Sequence, residues 1–146
     1  MVAGVRIHFA GVEEFMKQCL IVDGSRVIRR VAARILEDLQ FEATEAEDAS
    51  SAIEACRHKM PDAILLDAHL NAMSAVEFLR LLRRDANGAG PVVIFCTTEN
   101  DADDITAAVG AGANDYLLKP FDRESLENKF AELALLGVER AGHARL

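Results

Sequence analysis

Four polar side chains follow apolar runs at four separate places in the chain: Asp23, Asp67, Thr97 and Lys119. Two carboxylates can hold a hard divalent cation such as Mg²⁺, which takes oxygen ligands and usually keeps several waters. A carboxylate beside that cation can attack a phosphoryl group and form an aspartyl phosphate. The Thr97 hydroxyl and the Lys119 ammonium can each contact a phosphoryl oxygen. One such residue is an ordinary strand end, but four of these types together indicate a site.

The elements that must position these residues follow from the periodicity of the apolar side chains. Apolar runs and amphipathic stretches alternate, with Ser25, Asp48 and Asp122 as candidate helix N-caps. Predicted strands cover residues 19–22, 41–46, 63–67, 92–96 and 116–118, and predicted helices cover about 25–40, 48–59, 74–84, 101–109 and a stretch from 122 onward. Apolar strands between helices indicate a parallel sheet covered on both faces. Functional groups in such sheets gather at the carboxyl ends of the strands, where all four polar residues stand.

Length and composition limit the class of protein. The chain has 146 residues, of which 51% are hydrophobic, and this predicts one globular domain. Its formal net charge of −8 argues against binding nucleic acid or an anionic membrane, and no apolar run approaches the ~20 residues of a membrane span. Cys19, Cys56 and Cys96 form no C-x-x-C pair, which favours reduced, buried thiols in a cytoplasmic protein.

Four stretches together resemble the receiver domain of two-component response regulators, in particular the single-domain chemotaxis-regulator type. They read CLIVDGSRVIRR, AILLDAHL, PVVIFCTTEN and GANDYLLKPF, and the resemblance covers about residues 16–136. It implies a flavodoxin-like three-layer α/β sandwich with five parallel strands in the order 2-1-3-4-5 and five helices. We expect an N-terminal extension of unknown role over residues 1–15, a receiver domain over 16–137 and a tail over 138–146, without an attached output domain.

The resemblance assigns a phosphoryl group and a switch to the residues at the strand ends. Asp67 matches the phosphoacceptor, and Thr97 and Lys119 match the residues that contact the phosphoryl group. Thr97 also matches a residue that moves on activation, and Tyr116 matches the aromatic switch residue that changes between outward and inward rotamers. The Lys119–Pro120 peptide is expected to be cis.

The resemblance also implies a Mg²⁺ site, and here the chain departs from the family pattern. Asp23, Asp67 and the backbone carbonyl of His69 match metal ligands, but receivers normally carry a second acid where this chain has Gly24. By resemblance, that second acid binds the metal directly. The loop after Asp67 departs as well, because residues 71–75 lack the usual proline, second aspartate and glycine.

Gly24 changes the expected charge of the pocket. With Asp23, Asp67 and Lys119 alone the formal sum is −1 rather than −2, so we expect weak Mg²⁺ binding. The start of the first helix at Gly24 then offers free N–H groups without a side-chain charge, which makes the pocket less hostile to an anion. Glu99, two residues after Thr97, is a candidate to reach the pocket rim and partly replace the lost acid.

Two mechanisms remain open at the level of the sequence. In the first, a histidine kinase or a phosphotransfer protein phosphorylates Asp67, and the face built from the fourth helix, fifth strand and fifth helix changes its affinity for a downstream protein. In the second, the chain is a degenerate receiver that binds its partner without phosphorylation. The intact Asp67, Thr97, Tyr116 and Lys119 favour the first mechanism, and Gly24 favours the second.

Neither mechanism makes the chain an enzyme, and a flavodoxin-like cofactor binder is the weaker third class. The first strand–helix turn offers one serine for a phosphate, and the chain has one tyrosine and no tryptophan to stack on a flavin. Arg26, Arg29 and Arg30 form a basic stripe with Arg34 along the first predicted helix. The resemblance implies that a kinase or phosphotransfer protein docks there, and a solvated helix face is the alternative.

Overall fold

The computed structural model describes residues 6–9, 12–98 and 102–136, with side chains from residue 16 onward. Strands and helices alternate after a short hairpin. In chain order the elements are β1 Arg6–Phe9, β2 Val12–Phe15, β3 Lys17–Val22, α1 Arg26–Asp38, β4 Phe41–Ala46, α2 Ala49–His58, β5 Ala63–Asp67, α3 Ala75–Arg84, β6 Val92–Thr97, α4 Ala102–Ala111, β7 Asp115–Leu118 and α5 Arg123–Glu132.

The five strands after the hairpin form one parallel sheet in the order β4-β3-β5-β6-β7. One face packs against α2, α3 and α4 through a core that includes Phe78, Leu66 and Leu20. The other face packs against α1 and α5 through a core that includes Leu36 and Phe130. Counted from β3 as the first strand, this is the predicted order 2-1-3-4-5, and the flavodoxin-like sandwich is confirmed.

The element boundaries follow the predicted caps closely. Ser25 caps α1 by accepting the Ile28 N–H, and Asp48 and Asp122 each form a capping box with the serine three residues later. Helix α1 ends at Asp38, two residues before the predicted end, because Gln40 takes a left-handed φ of 71° that an α-helix does not tolerate.

The N-terminal extension contains structure that the sequence analysis did not predict. Strands β1 and β2 pair antiparallel in a sheet of their own, with Arg6 opposite Phe15 and Phe9 opposite Val12. The hairpin ends two residues before β3 begins. The predicted tail over residues 138–146 lies outside the described residues.

The cysteines behave as small buried apolar side chains. Cys19, Cys56 and Cys96 are free and buried, as expected. Burial raises the pKa of the Cys56 thiol to about 11 and that of Cys96 to about 12, so both remain protonated at neutral pH. Across the part of the chain that the structure describes, no helix is long and apolar enough to cross a membrane.

Arg83 on α3 holds two loops together, the one that leads into β6 and the one that leads into β7. The Arg83 guanidinium donates to the carbonyl oxygens of Gly88 at 2.7 Å, Pro91 at 2.9 Å and Gly112 at 2.6 Å, and to Asn114 Oδ1 at 3.0 Å. Gly112 has φ +125°, and a Cβ there would lie 2.7 Å from the Arg83 side chain. Glycine is therefore required for this turn.

Candidate functional site

The carboxyl edge of the sheet brings the polar strand ends together. Asp23 follows β3 directly, Asp67 ends β5, Thr97 ends β6 and Lys119 follows β7. Lys119 Nζ lies 2.5 Å from Asp23 Oδ2 and 3.0 Å from Asp67 Oδ1. Thr97 is buried at the adjoining strand end, and its carbonyl accepts the Lys119 backbone N–H at 2.8 Å. Parallel pairing thus produces the cluster, as the sequence analysis expected.

Each of the two carboxylates is held by a backbone group as well as by Lys119. Asp23 Oδ1 accepts the Ser25 N–H at 2.8 Å, which fixes the turn into α1. Asp67 Oδ1 accepts the His69 N–H at 3.2 Å. Asp67 Oδ2 has no hydrogen-bond partner among the described residues, although the residue is only 7% exposed. As far as the described residues go, Asp67 Oδ2 is therefore available to an incoming group.

Lys119 is a buried cation that balances this acidic pocket. Its side chain is 9% exposed. Burial alone would lower the pKa of Lys119, but hydrogen bonds to Asp23 and Asp67 outweigh burial and raise it above its ordinary value. The lysine therefore stays charged, and the two carboxylates and one ammonium leave a formal charge of −1.

Gly24 leaves an open position beside this pocket. A Cβ at residue 24 would meet only the Glu47 carbonyl oxygen, at 3.9 Å, which is an ordinary contact. Neither space nor backbone conformation therefore requires glycine there. Among the described residues, no three His, Cys, Asp or Glu side chains converge as a metal cluster. Glu99 lies outside those residues.

The donors that remain are of the kind that Mg²⁺ takes. The carboxylates of Asp23 and Asp67 are oxygen ligands, and the backbone of His69 lies beside Asp67. Mg²⁺ often binds through one or two carboxylates and keeps its other waters. The residues therefore fit a Mg²⁺ site with few protein ligands, in competition with the Lys119 ammonium.

Tyr116 stands on β7, three residues before Lys119, and is 36% exposed. Lys129 Nζ, on α5, lies 5.8 Å from the centroid of the Tyr116 ring. The Lys119–Pro120 peptide that follows β7 is cis, as expected. The structure thus connects the site to an exposed aromatic side chain through one short strand.

The arginines of α1 do not share one environment. Arg26 and Arg30 are exposed, with Arg30 Nε 3.3 Å from Glu45. The Arg29 side chain is 12% exposed, pairs with Glu45 at 3.0 Å and donates to the Asp23 carbonyl at 2.7 Å. Arg29 therefore supports the turn that carries Asp23, a role that the sequence analysis missed because it depends on the direction of the Arg29 side chain in the folded chain.

The chain is similar to known signalling proteins over most of its length. Residues 19–131 match the response regulator receiver domain family. The chain is 32% identical over 115 residues to the chemotaxis protein CheY of Pseudomonas aeruginosa, covering 78% of this chain and 93% of that protein. It is 34% identical over 110 residues to the phosphate regulon transcriptional regulatory protein PhoB of Klebsiella pneumoniae, covering 75% of this chain. The chain spans about half the length, 48%, of that PhoB relative.

Solved structures agree with this assignment. The receiver domain of the sensor histidine kinase PA1611 from Pseudomonas aeruginosa has a TM-score of 0.72 and 29% identity, covering 78% of this chain and 93% of that domain. That structure is described with a magnesium ion coordinated in its active site cleft. The fold, the strand-end cluster and these similarities together show that the chain belongs to the response regulator receiver domains of two-component systems.

Proposed function

We propose that the chain accepts a phosphoryl group on Asp67 from a histidine kinase or phosphotransfer protein and passes the signal on through protein contacts. The observation that carries this proposal is the hydrogen bonding of Asp67. Lys119 and the His69 N–H both bind Oδ1, which leaves Oδ2 without a described partner. An oxygen that keeps its lone pairs in a buried, cation-lined pocket is a suitable nucleophile.

The transfer follows from these contacts. Asp67 Oδ2 attacks the phosphorus of a phosphohistidine, the P–N bond breaks, and the electron pair leaves with the donor imidazole. The Lys119 ammonium then lies within reach of the transferred phosphoryl group, and the Thr97 hydroxyl contacts one of its oxygens. Both groups act by electrostatic stabilisation of charge that is fixed in place before the reaction.

Mg²⁺ enters the proposal as a weakly bound ion. Asp23, Asp67 and the His69 carbonyl would hold it, and once bound it would neutralise charge on the phosphoryl oxygens. Lys119 already engages both carboxylates, and Gly24 contributes no acid. We therefore expect an affinity for Mg²⁺ below that of a receiver pocket with the second acid in place.

Partner contacts involve two surfaces. Arg26 and Arg30 on α1 are exposed and lie around Val27, which is 72% exposed. This mixed basic and apolar surface suits docking of an acidic kinase or phosphotransfer protein. On the other side, Thr97 and Tyr116 would change the face formed by α4, β7 and α5, where we expect the downstream protein to bind without contact to nucleic acid. The chain then acts as a signalling module rather than an enzyme.

The second candidate function is a degenerate receiver that binds its partner without phosphorylation. Two observations favour it. Gly24 is open where a side chain would fit, and Lys119 contacts both Asp23 and Asp67. A pocket whose formal charge is only −1 has less need of Mg²⁺ than one with a third carboxylate.

Treatment with a small phosphodonor such as acetyl phosphate, in millimolar Mg²⁺, separates the two functions. We expect intact-protein mass spectrometry to detect one phosphoryl adduct that is lost in Asp67→Asn, a neutral variant of the same shape. Gly24→Asp is the informative companion variant. An adduct in Gly24→Asp with none in the natural sequence would support the degenerate receiver, and adducts in both would support phosphotransfer.

A further inference from the structure

Lys129 on α5 has a restricted environment for a surface lysine. Its side chain is 18% exposed, and its Nζ lies 3.1 Å from Asp115 Oδ2 and 3.3 Å from Glu132 Oε1. The same Nζ lies 5.8 Å from the centroid of the Tyr116 ring. This distance is within the range over which a cation is attracted to an aromatic face.

The Asp115 carboxylate contacts both the Lys129 cation and the Tyr116 backbone. Its Oδ2 pairs with Lys129, while its Oδ1 accepts the backbone N–H of Tyr116 at 2.8 Å. The position of the Tyr116 backbone and the position of the Lys129 cation are therefore set together. The Lys129 cation thus has a fixed place beside the Tyr116 ring.

The charge on Lys129 is secure. Burial alone would lower the pKa of Lys129, but the hydrogen bond and ion pair with Asp115 outweigh burial, with a smaller effect from Glu132, and raise it. Lys129 is therefore a full cation at physiological pH, and the attraction to the ring persists over that range.

The space around the ring permits movement. Tyr116 and Lys129 both border an open cavity of about 370 Å³ between β7 and α5, together with Leu118 and Pro120. The ring is 36% exposed, so neighbouring atoms cover it only in part. The contact with the Lys129 cation, which Asp115 holds in place, favours the present position of the ring.

We propose that Lys129 is a positioning residue that holds the Tyr116 ring in its solvent-facing position and thereby sets the resting equilibrium of the switch. The inference rests on the proposed function in that it takes Tyr116 as the switch. A ring that leaves this position loses the contact to the cation. A contact of this kind at a half-exposed site changes a population ratio by about two- to five-fold.

The test uses the unphosphorylated 146-residue chain, in which Tyr116 is the single tyrosine. The ratio of inward to outward Tyr116 rotamers is measured by NMR from side-chain couplings. We expect this ratio to rise about two- to five-fold in Lys129→Met and to return toward the natural value in Lys129→Arg. Glu132→Gln is the matched control, because it removes an ion pair from Lys129 without touching Tyr116, and it should leave the ratio unchanged.

A second variant protects the test against loss of folding. Asp115→Asn keeps an oxygen for the Tyr116 N–H but removes the ion pair that anchors Lys129, so the ratio should rise in the same direction. An unchanged ratio in both Lys129→Met and Asp115→Asn would overturn the inference. Because no phosphodonor is used, a failure here is distinct from a failure of Asp67 to accept a phosphoryl group.

Discussion

Replacing Gly24 with aspartate is the sharpest test of how this pocket differs from others of its family. The structure has room for the change, because a Cβ at residue 24 meets only the Glu47 carbonyl at 3.9 Å. Gly24→Asp would take the formal charge of the pocket from −1 to −2 beside Asp23 and Asp67. The added carboxylate favours a divalent cation and opposes the metal-free state.

The size of the effect follows from Coulomb's law. Two unit charges ~4 Å apart attract by about 1 kcal/mol in water and by about 4 kcal/mol at an effective dielectric constant of about 20. Residue 24 is exposed, so the lower figure applies, doubled for a divalent ion. The result is about 2 kcal/mol, or about a thirty-fold tighter Kd for Mg²⁺.

Gly24→Asn is the matched control, because asparagine has the same shape and the same effect on the unfolded chain but carries no charge. Mg²⁺ affinity is measured for the natural sequence and both variants by following amide chemical shifts. We expect Gly24→Asp to bind tightest and Gly24→Asn to stay close to the natural protein. Equal affinities for the Asp and Asn variants, or micromolar affinity in the natural protein, would refute the electrostatic argument.

Three further changes test the contacts that support the site. Lys119→Met should lower the free energy of unfolding by about 3 kcal/mol at neutral pH, because it leaves buried carboxylates without their cation. The pKa of Lys119 is raised in the folded protein, so its contribution to stability is complete below the unfolded pKa of about 10.4 and is lost as the pH rises through the folded pKa. The unfolding free energies of the natural protein and Lys119→Met, measured by denaturant titration, should therefore converge at high pH. A difference that stays constant with pH would contradict this. Gly112→Ala should cost about 1–3 kcal/mol, through strain at φ +125° and contact with Arg83, and an unchanged urea midpoint would show that the turn relaxes. Arg29→Met should cost about 1.5–3 kcal/mol, and Arg30→Met, the exposed neighbour, much less; equal urea midpoints would mean that the Arg29 contacts do not support the turn.

The fold could be predicted from sequence because each level of information agreed. The fully buried strand at residues 63–67 and the alternating one at 41–46 have the bounds that the pattern predicted. Capping residues such as Ser25 and Asp122 marked helix starts through local hydrogen bonds, which depend on residues only three positions apart. These signals are short-range, so a single sequence contains them.

The rest depends on contacts between distant parts of the chain. The hairpin of β1 and β2 has strands of only four residues, too short for a periodic pattern to be distinguished from an irregular extension. The ion pair between Arg29 and Glu45 joins helix α1 to strand β4. In the sequence, the arginines of this helix form a stripe that indicated one uniformly exposed basic surface. The double pairing of Lys119 was implicit in the strand order, but which carboxylate oxygen it leaves free was not.

The hydrogen bonds of Arg83 to the two loops have a consequence for the timescale of signalling. Asn114, one of the groups that Arg83 binds, also exchanges two hydrogen bonds of 2.8 Å with Val93, which fixes the start of β7. At the other end of β7, the Lys119 N–H is bound to Thr97. With both ends of the strand fastened, those of its amides that pair with β6 should exchange slowly with solvent while Tyr116 reorients as a side chain, on the picosecond-to-nanosecond scale of exposed rotamers. A partner would then meet a surface already sampling both forms, and the lifetime of the signal would depend on the modified carboxylate rather than on refolding of the backbone.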